Sequence, residues 1–295
     1  MFNISLLNFL TMCKYLFIIL ALQFANLDRE FTFKADYAAN RDALLAMLPE
    51  AAPGAEKAEV LWRLSRAWLM LGDGAATKDE KRNCYAEGIR YADACIAEDP
   101  ANPEGYLWHC GNIGRDCQTR KLMEQAAAVP KMSADLTTVL NKLGHTENSQ
   151  AWQALSAIYW AHPFKSSDAA INYARKAALT IPAGELRIGT LTNLAEMLYK
   201  RNWSAKKRAY EAEANRNKFA SKGKSHIDRY AFFDGASDEK LSAPWNPVGY
   251  TALSDREEAL AITAYAQRIF RDCKTPSPVD KSDIKYLNNL LKQWK

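Results

Sequence analysis

The residues able to do chemistry are few and scattered. Four histidines stand at 109, 145, 162 and 226, each isolated from the others. His109 adjoins an apolar face and His162 precedes a proline. No HExxH pair, nucleophile elbow or phosphate loop accompanies them. Gly111 and Gly114 do not make a dinucleotide fingerprint and read as places where helices approach closely. Six cysteines lie at 13, 84, 95, 110, 117 and 273. They include no CxxC pair and no zinc-type Cys/His spacing. In an oxidising compartment Cys84, Cys95, Cys110 and Cys117 are candidates for pairing. The simpler reading makes Cys95 and Cys110 small core residues. With no catalytic centre, metal or cofactor specified, the chain reads as non-enzymatic, and binding is the chemistry to look for.

Charge narrows the partners. The net charge of +5 is uneven, because residues 200–229 hold ten Lys or Arg against three Asp or Glu. Outside that segment the balance is slightly acidic. Within it, "KRNWSAKKR" (200–208) surrounds Trp203. Such a cluster could meet nucleic acid or an anionic surface. It reads instead as a solvated helix face with one packed Trp, and no nucleic-acid partner is expected.

Any binding surface needs elements to position it, and the periodicity is helical throughout. In "AEVLWRLSRAWLMLGD", from residue 58, Leu61, Leu64, Trp68 and Leu71 recur at steps of three and four, one face of a helix. A polar stretch (74–83) interrupts, and "CYAEGIRYADACIAEDP" supplies a second helix with a stripe of Gly88, Ala92 and Cys95. The stretch "QAWQALSAIYWAHPFKSSDAAINYARKAALTIP" (150–182) repeats the plan. Trp152, Leu155, Ser156 and Tyr159 share one helix face. Ser166 or Ser167 caps the next helix, lined by Ala170, Ala174 and Ala177 and closed by Pro182. Two further first helices, 103–116 and 187–202, fit the same ruler. Their expected partners are 131–144 and about 204–218. Strand-like alternation is nearly absent, so the fold class is all-α.

The order of large, Leu, small, aromatic, then Ala, Ala, Ala, Pro resembles the tetratricopeptide repeat. Bulky side chains of one helix need small partners on the next for close antiparallel packing. Pairs that cannot bury their apolar faces alone stack into a solenoid. About four irregular tetratricopeptide-like hairpins are expected, starting at 61, 107, 152 and 191, with insertions within the repeats. The resemblance extends, over 58–211, to the periplasmic T component associated with TRAP transporters. It rests on "WRLSRAW", the polar insert before "YAEGIRYADACIAEDP", "EGYLWHCGNIGR", and "AWQALSAIYW" followed by "DAAINYARKA". Animal regulators of microtubule dynamics share a similar, more distant pattern.

What the resemblance implies is a scaffold that associates with an extracytoplasmic solute-binding protein or another envelope protein and encloses an apolar small ligand. A general adaptor holding a peptide segment in the groove is the alternative. Concave positions of the repeat, carried over, are Trp62, Arg66 and Leu69; Trp108, Asn112 and Arg115; Gln153, Ala157 and Trp160; and Thr192, Glu196 and Tyr199. From these, Trp62, Arg66, Trp108, Asn112, Arg115, Gln153, Trp160, Glu196 and Tyr199 form the expected groove. Aromatics, Arg and amides suit a recognition surface, whereas packing between repeats is the competing role for the three tryptophans.

The flanks complete the division. Residues 1–27, with "YLFIILAL" (15–22) behind Lys14, read as a signal peptide or an N-terminal anchor through 15–25. A buried first helix is the other reading, and export to the periplasm or its membrane face is the expectation. Residues 28–57 form a helical segment, 58–218 the repeat domain, 219–254 an irregular linker and 255–295 C-terminal capping helices. The sequence is compatible with a homo-oligomer.

Overall fold

A computed structural model describes residues 21–162, 166–222, 225–232, 243–246 and 252–294. The expected apolar core at 15–20, Pro163, and residues 223–224, 233–242 and 247–251 of the linker lie outside the described residues. Among them, regular structure is helical. Helix α1 covers 21–33, followed by α2 (Tyr37–Met47), α3 (Ala55–Gly74), α4 (Lys78–Glu98) and α5 (Pro103–Gln118). Then come α6 (Leu122–Thr137), α7 (Ser149–Ala161), α8 (Ser167–Leu179) and α9 (Ile188–Arg201). The last are α10 (Ala205–Lys222), α11 (His226–Phe232), α12 (Asp255–Asp272) and α13 (Pro278–Gln293).

Local chemistry sets these boundaries. Thr77 with Glu80, and Ser254 with Glu257, close capping boxes at α4 and α12. Asn102, Asn148, Ser166 and Ser277 each accept a hydrogen bond from a first-turn amide. Pro103 and Pro278 then sit at the first helical positions, where no amide hydrogen is needed. The insertion after α5 is helical: α6 begins at Leu122 and carries Pro130 inside it, so the partner of α5 starts earlier than the expected 131.

The hairpins α3–α4 and α7–α8 are built alike. Ser65 Oγ donates to the Gly88 carbonyl at 2.7 Å, and Ser156 Oγ donates to the Ala170 carbonyl at 2.7 Å. In each hairpin the serine after the core leucine clips the first helix to a small-residue position of the second. The next helix also needs that small residue. A Cβ at Gly88 would come within 2.0 Å of Asn112 Oδ1, on α5. In the second hairpin Trp152 stacks on Tyr173, with ring centroids 5.7 Å apart, above the alanine stripe.

Three apolar clusters follow one another along the chain. Phe24, Leu27 and Leu44 join α3 and α4 in the first. The second runs from Leu107 to Ala177 and takes in Tyr230. The third combines α8, α9, α12 and α13. Here one expectation fails. The expected partner of α9, the segment 204–218, is helix α10, but it packs on α11, and α12 lies along α9 instead. The residues of α10 explain this: it is polar around most of its surface, whereas α12 presents Ala259, Ile262 and Ala266, all fully buried.

Charge ties α10 in. Arg175 of α8 and Arg208 of α10 both reach Glu258 of α12, the first at 2.9 Å. Arg201 pairs with Asp255 at 2.8 Å and also with Asp168. The basic cluster around Trp203 is therefore split. Arg201 and Arg208 turn inward, and Lys206 and Lys207 face solvent. The described cysteines at 84, 95, 110, 117 and 273 are free thiols. Burial pushes the Cys95 thiol up to about 12.

Candidate functional site

The N-terminal turns of the first helices converge on a cavity of about 910 Å³. That is near the upper end of the roughly 300–1,000 Å³ typical of small-molecule sites. Helix α3 contributes Glu59, Trp62, Arg63 and Arg66, α5 contributes Glu104 and Trp108, and α7 contributes Gln153. The turn into α9 adds Arg187, Gly189 and Thr190. Both flanks close it: Asp28 and Phe31 of α1 on one side, Asp280 and Asp283 of α13 on the other.

The α1 wall is fixed by a shared carboxylate. Asp28 accepts from Arg63 Nη2 at 2.8 Å and from Arg66 Nη2 at 2.5 Å. Burial opposes its ionisation, but the two guanidiniums outweigh burial and hold the carboxyl below its ordinary value. Arg63 also donates to Glu59 at 2.6 Å. The guanidinium of Arg66 lies 3.8 Å from the Phe31 ring centroid, and that of Arg63 lies 4.1 Å from Trp62, cation–π contacts that fix the rings.

The α5 and α13 walls differ. Glu104 accepts from Trp108 Nε1 at 2.9 Å, yet burial pushes its carboxyl above the usual range. Asp280 accepts from Ser277 Oγ at 2.6 Å and from the Ile188 amide at 3.3 Å, docking α13 onto the start of α9. Asp283 is raised by burial and by neighbouring Asp280. Arg187, between these walls, is left-handed with φ of 43°, a costly conformation for a non-glycine residue, and donates to Glu185 at 2.6 Å.

Of the nine expected groove residues, four line this cavity: Trp62, Arg66, Trp108 and Gln153. The others lie elsewhere. Asn112 is fully buried and bonds Ser65 across the hairpins. Arg115 pairs with Asp73. Trp160 packs against the third apolar cluster. Glu196 bonds Lys200 and Tyr286, and Tyr199 stacks on Trp294 with centroids 4.2 Å apart. For Glu196 and Tyr199 the reason is geometric, because α13 lies along α9 and covers its later turns. Sequence reasoning passed over Asp28, Glu104, Asp280 and Asp283. A first-turn acid was visible for Glu104 and Asp280, but which flank would reach the groove was not.

The lining side chains can ion-pair, hydrogen-bond and stack, which suits holding a ligand. Elsewhere His109 is buried, with Nδ1 2.7 Å from Asp135 and Nε2 3.3 Å from Asp93. Among the described residues no group of three His, Cys, Asp or Glu could hold a metal ion, and no helix is long and apolar enough to cross a membrane. No protein-family model matches the chain, and no curated protein matches it either.

Proposed function

We propose that this chain is a non-enzymatic binding scaffold, an α-solenoid of tetratricopeptide-like hairpins whose groove holds a small ligand. The observation that carries the reading is the shared cavity. Concave positions of three successive hairpins, Trp62 with Arg66, Trp108, and Gln153, line one space of about 910 Å³. The recurring serine clip and the sequential apolar clusters support the solenoid, in which each repeat packs on its neighbours. On the resemblance to the TRAP-associated T component, the scaffold works in the periplasm beside a solute-binding protein. Native mass spectrometry of protein purified from its own host tests this. A retained small molecule or a co-purifying solute-binding partner is expected. A clean apo mass with neither would overturn it. A peptide segment in the groove is the second reading, favoured by wall charges of both signs, and would appear as a retained peptide mass.

A further inference from the structure

The lining carries six carboxylates, Asp28, Glu59, Glu104, Glu185, Asp280 and Asp283, against four guanidiniums. Three of the acids are already neutralised. Asp28 and Glu59 pair with Arg63 and Arg66, and Glu185 pairs with Arg187. The fourth guanidinium, Arg29, is on the exposed side of α1. Glu104, Asp280 and Asp283 make no direct ion pair among the described residues, although Arg66 and Arg187 lie close enough to favour the charge of Glu104 in part; their hydrogen bonds are with the Trp108 indole, with Ser277 and the Ile188 amide, and with the Gly189 backbone.

Helix dipoles alone do not account for this. A helix dipole favours a first-turn acid by about 0.3–1 kcal/mol when exposed and up to about 2 when partly buried. Glu104 is buried deeply enough that ionisation is penalised, and Asp283 lies past the first turn with a second acid beside it. A metal is not the counterion, because the described acids do not gather around one point. The rings of Trp108 and Phe33 line the same space with no guanidinium over them among the described residues. Carboxylates on two different walls, α5 and α13, together with aromatic faces lining the same space, match a ligand whose positive charges are spaced along a chain.

We infer that the cavity takes an extended organic cation of the diamine or polyamine class, with one ammonium group received by Glu104 beside Trp108 and another by Asp280 and Asp283. This rests on the binding-scaffold reading and specifies its ligand.

Calorimetric titration of the full chain with spermidine, putrescine and, as a neutral apolar probe, decanol tests it. Spermidine is expected to bind saturably and more tightly than putrescine, with affinity falling as salt is added. Glu104→Gln and Asp283→Asn should each weaken spermidine about tenfold, as expected for a lost charge-assisted hydrogen bond. Glu196→Gln, outside the cavity, should bind as the native chain does. Both cavity variants keep an acceptor of the same shape, and unchanged circular dichroism confirms that they fold. Absent spermidine binding, or equal affinity in all three variants, overturns the inference. Decanol binding that is abolished by Trp108→Ala, without spermidine binding, would leave the scaffold standing and remove the cation. No binding of any probe, with an empty native mass, would remove both.

Discussion

At the scale of single residues, two glutamates of opposite character give opposite pH dependence. Glu104 is pushed up by burial, with Trp108 and Arg66 opposing burial only in part. A raised carboxyl binds its proton more tightly in the folded chain, so stability falls as pH rises through that raised value. Glu104→Gln should therefore melt higher than the native chain near pH 7, at about 2–4 °C per kcal/mol recovered. The gap should close on acidification. Thermal melts across pH check this, and a lower melting temperature for the variant at pH 7 would contradict it. Glu258 is the converse case. Burial works against its charge, but Arg175 and Arg208 prevail and hold it at about 2, below the ordinary 4.5. Its contribution is complete above about pH 4.5 and is lost as pH falls toward 2. Glu258→Gln removes the buried acid that Arg175 and Arg208 share, while Arg208 keeps Asp255 at 3.5 Å, and should cost about 3–5 kcal/mol, measured by urea unfolding at neutral pH. Neither behaviour was legible in the sequence, because Glu258 of α12 meets Arg175 of α8 and Arg208 of α10 only in the fold, and Glu104 is buried only once the helices pack around it. The helical period made the faces of Trp62 and Trp108 legible; both line the cavity and both also pack in the first apolar cluster.

At the scale of elements, the hairpin is the legible unit. The ruler of Trp152, Leu155, Ser156 and Tyr159 against Ala170, Ala174 and Ala177 becomes a packed interface because a 3.6-residue period fixes which side chains share a face. The serine within it does more than fill space. Ser65→Ala and Ser156→Ala each remove a buried hydrogen bond to a neighbouring helix carbonyl and should each cost about 1 kcal/mol. The serines clip separate hairpins, so the double variant should lose close to the sum. Urea midpoints measure both costs, and a strongly non-additive pair would show that the hairpins do not act as separate units. What the period could not settle is which helix follows which in space. The segment 204–218 was expected against α9 from chain order, and α12 takes that place from 53 residues beyond α9. Order along the chain decides packing only when the next helix has an apolar face to offer. The sequence of α10 carried that warning in its charge.

At the scale of the whole molecule, the first and last described helices, α1 and α13, both line the site, so truncation should act on binding and stability together. Helix α13 buries Ile284, Leu287 and Leu290, stacks Trp294 on Tyr199 and bonds the start of α9 through Asp280. Burying three such side chains is worth about 1.5–3 kcal/mol each, so deleting 278–295 should lower the melting temperature by on the order of 10 °C and also remove two cavity carboxylates. The other end separates the two effects. A chain beginning at residue 26, as cleavage near residue 25 would leave, loses Phe24 from under the Arg63 guanidinium, where it lies 4.2 Å from the ring centroid. It keeps Asp28, and so keeps the ion pairs that hold Arg63 and Arg66 in the cavity wall. That chain should melt a few degrees lower and bind spermidine with unchanged affinity. A chain beginning at residue 34 loses Asp28, Arg29, Phe31 and Phe33 as well, releasing Arg66 from Asp28 while Arg63 keeps Glu59. Without the Phe33 ring, and with the released Arg66 guanidinium free to pair with Glu104, spermidine should bind at least tenfold more weakly. Melting curves and titrations on the two chains decide it. Equal affinity in both would mean that α1 only covers the first apolar cluster, and that the site is made by the repeats and α13 alone.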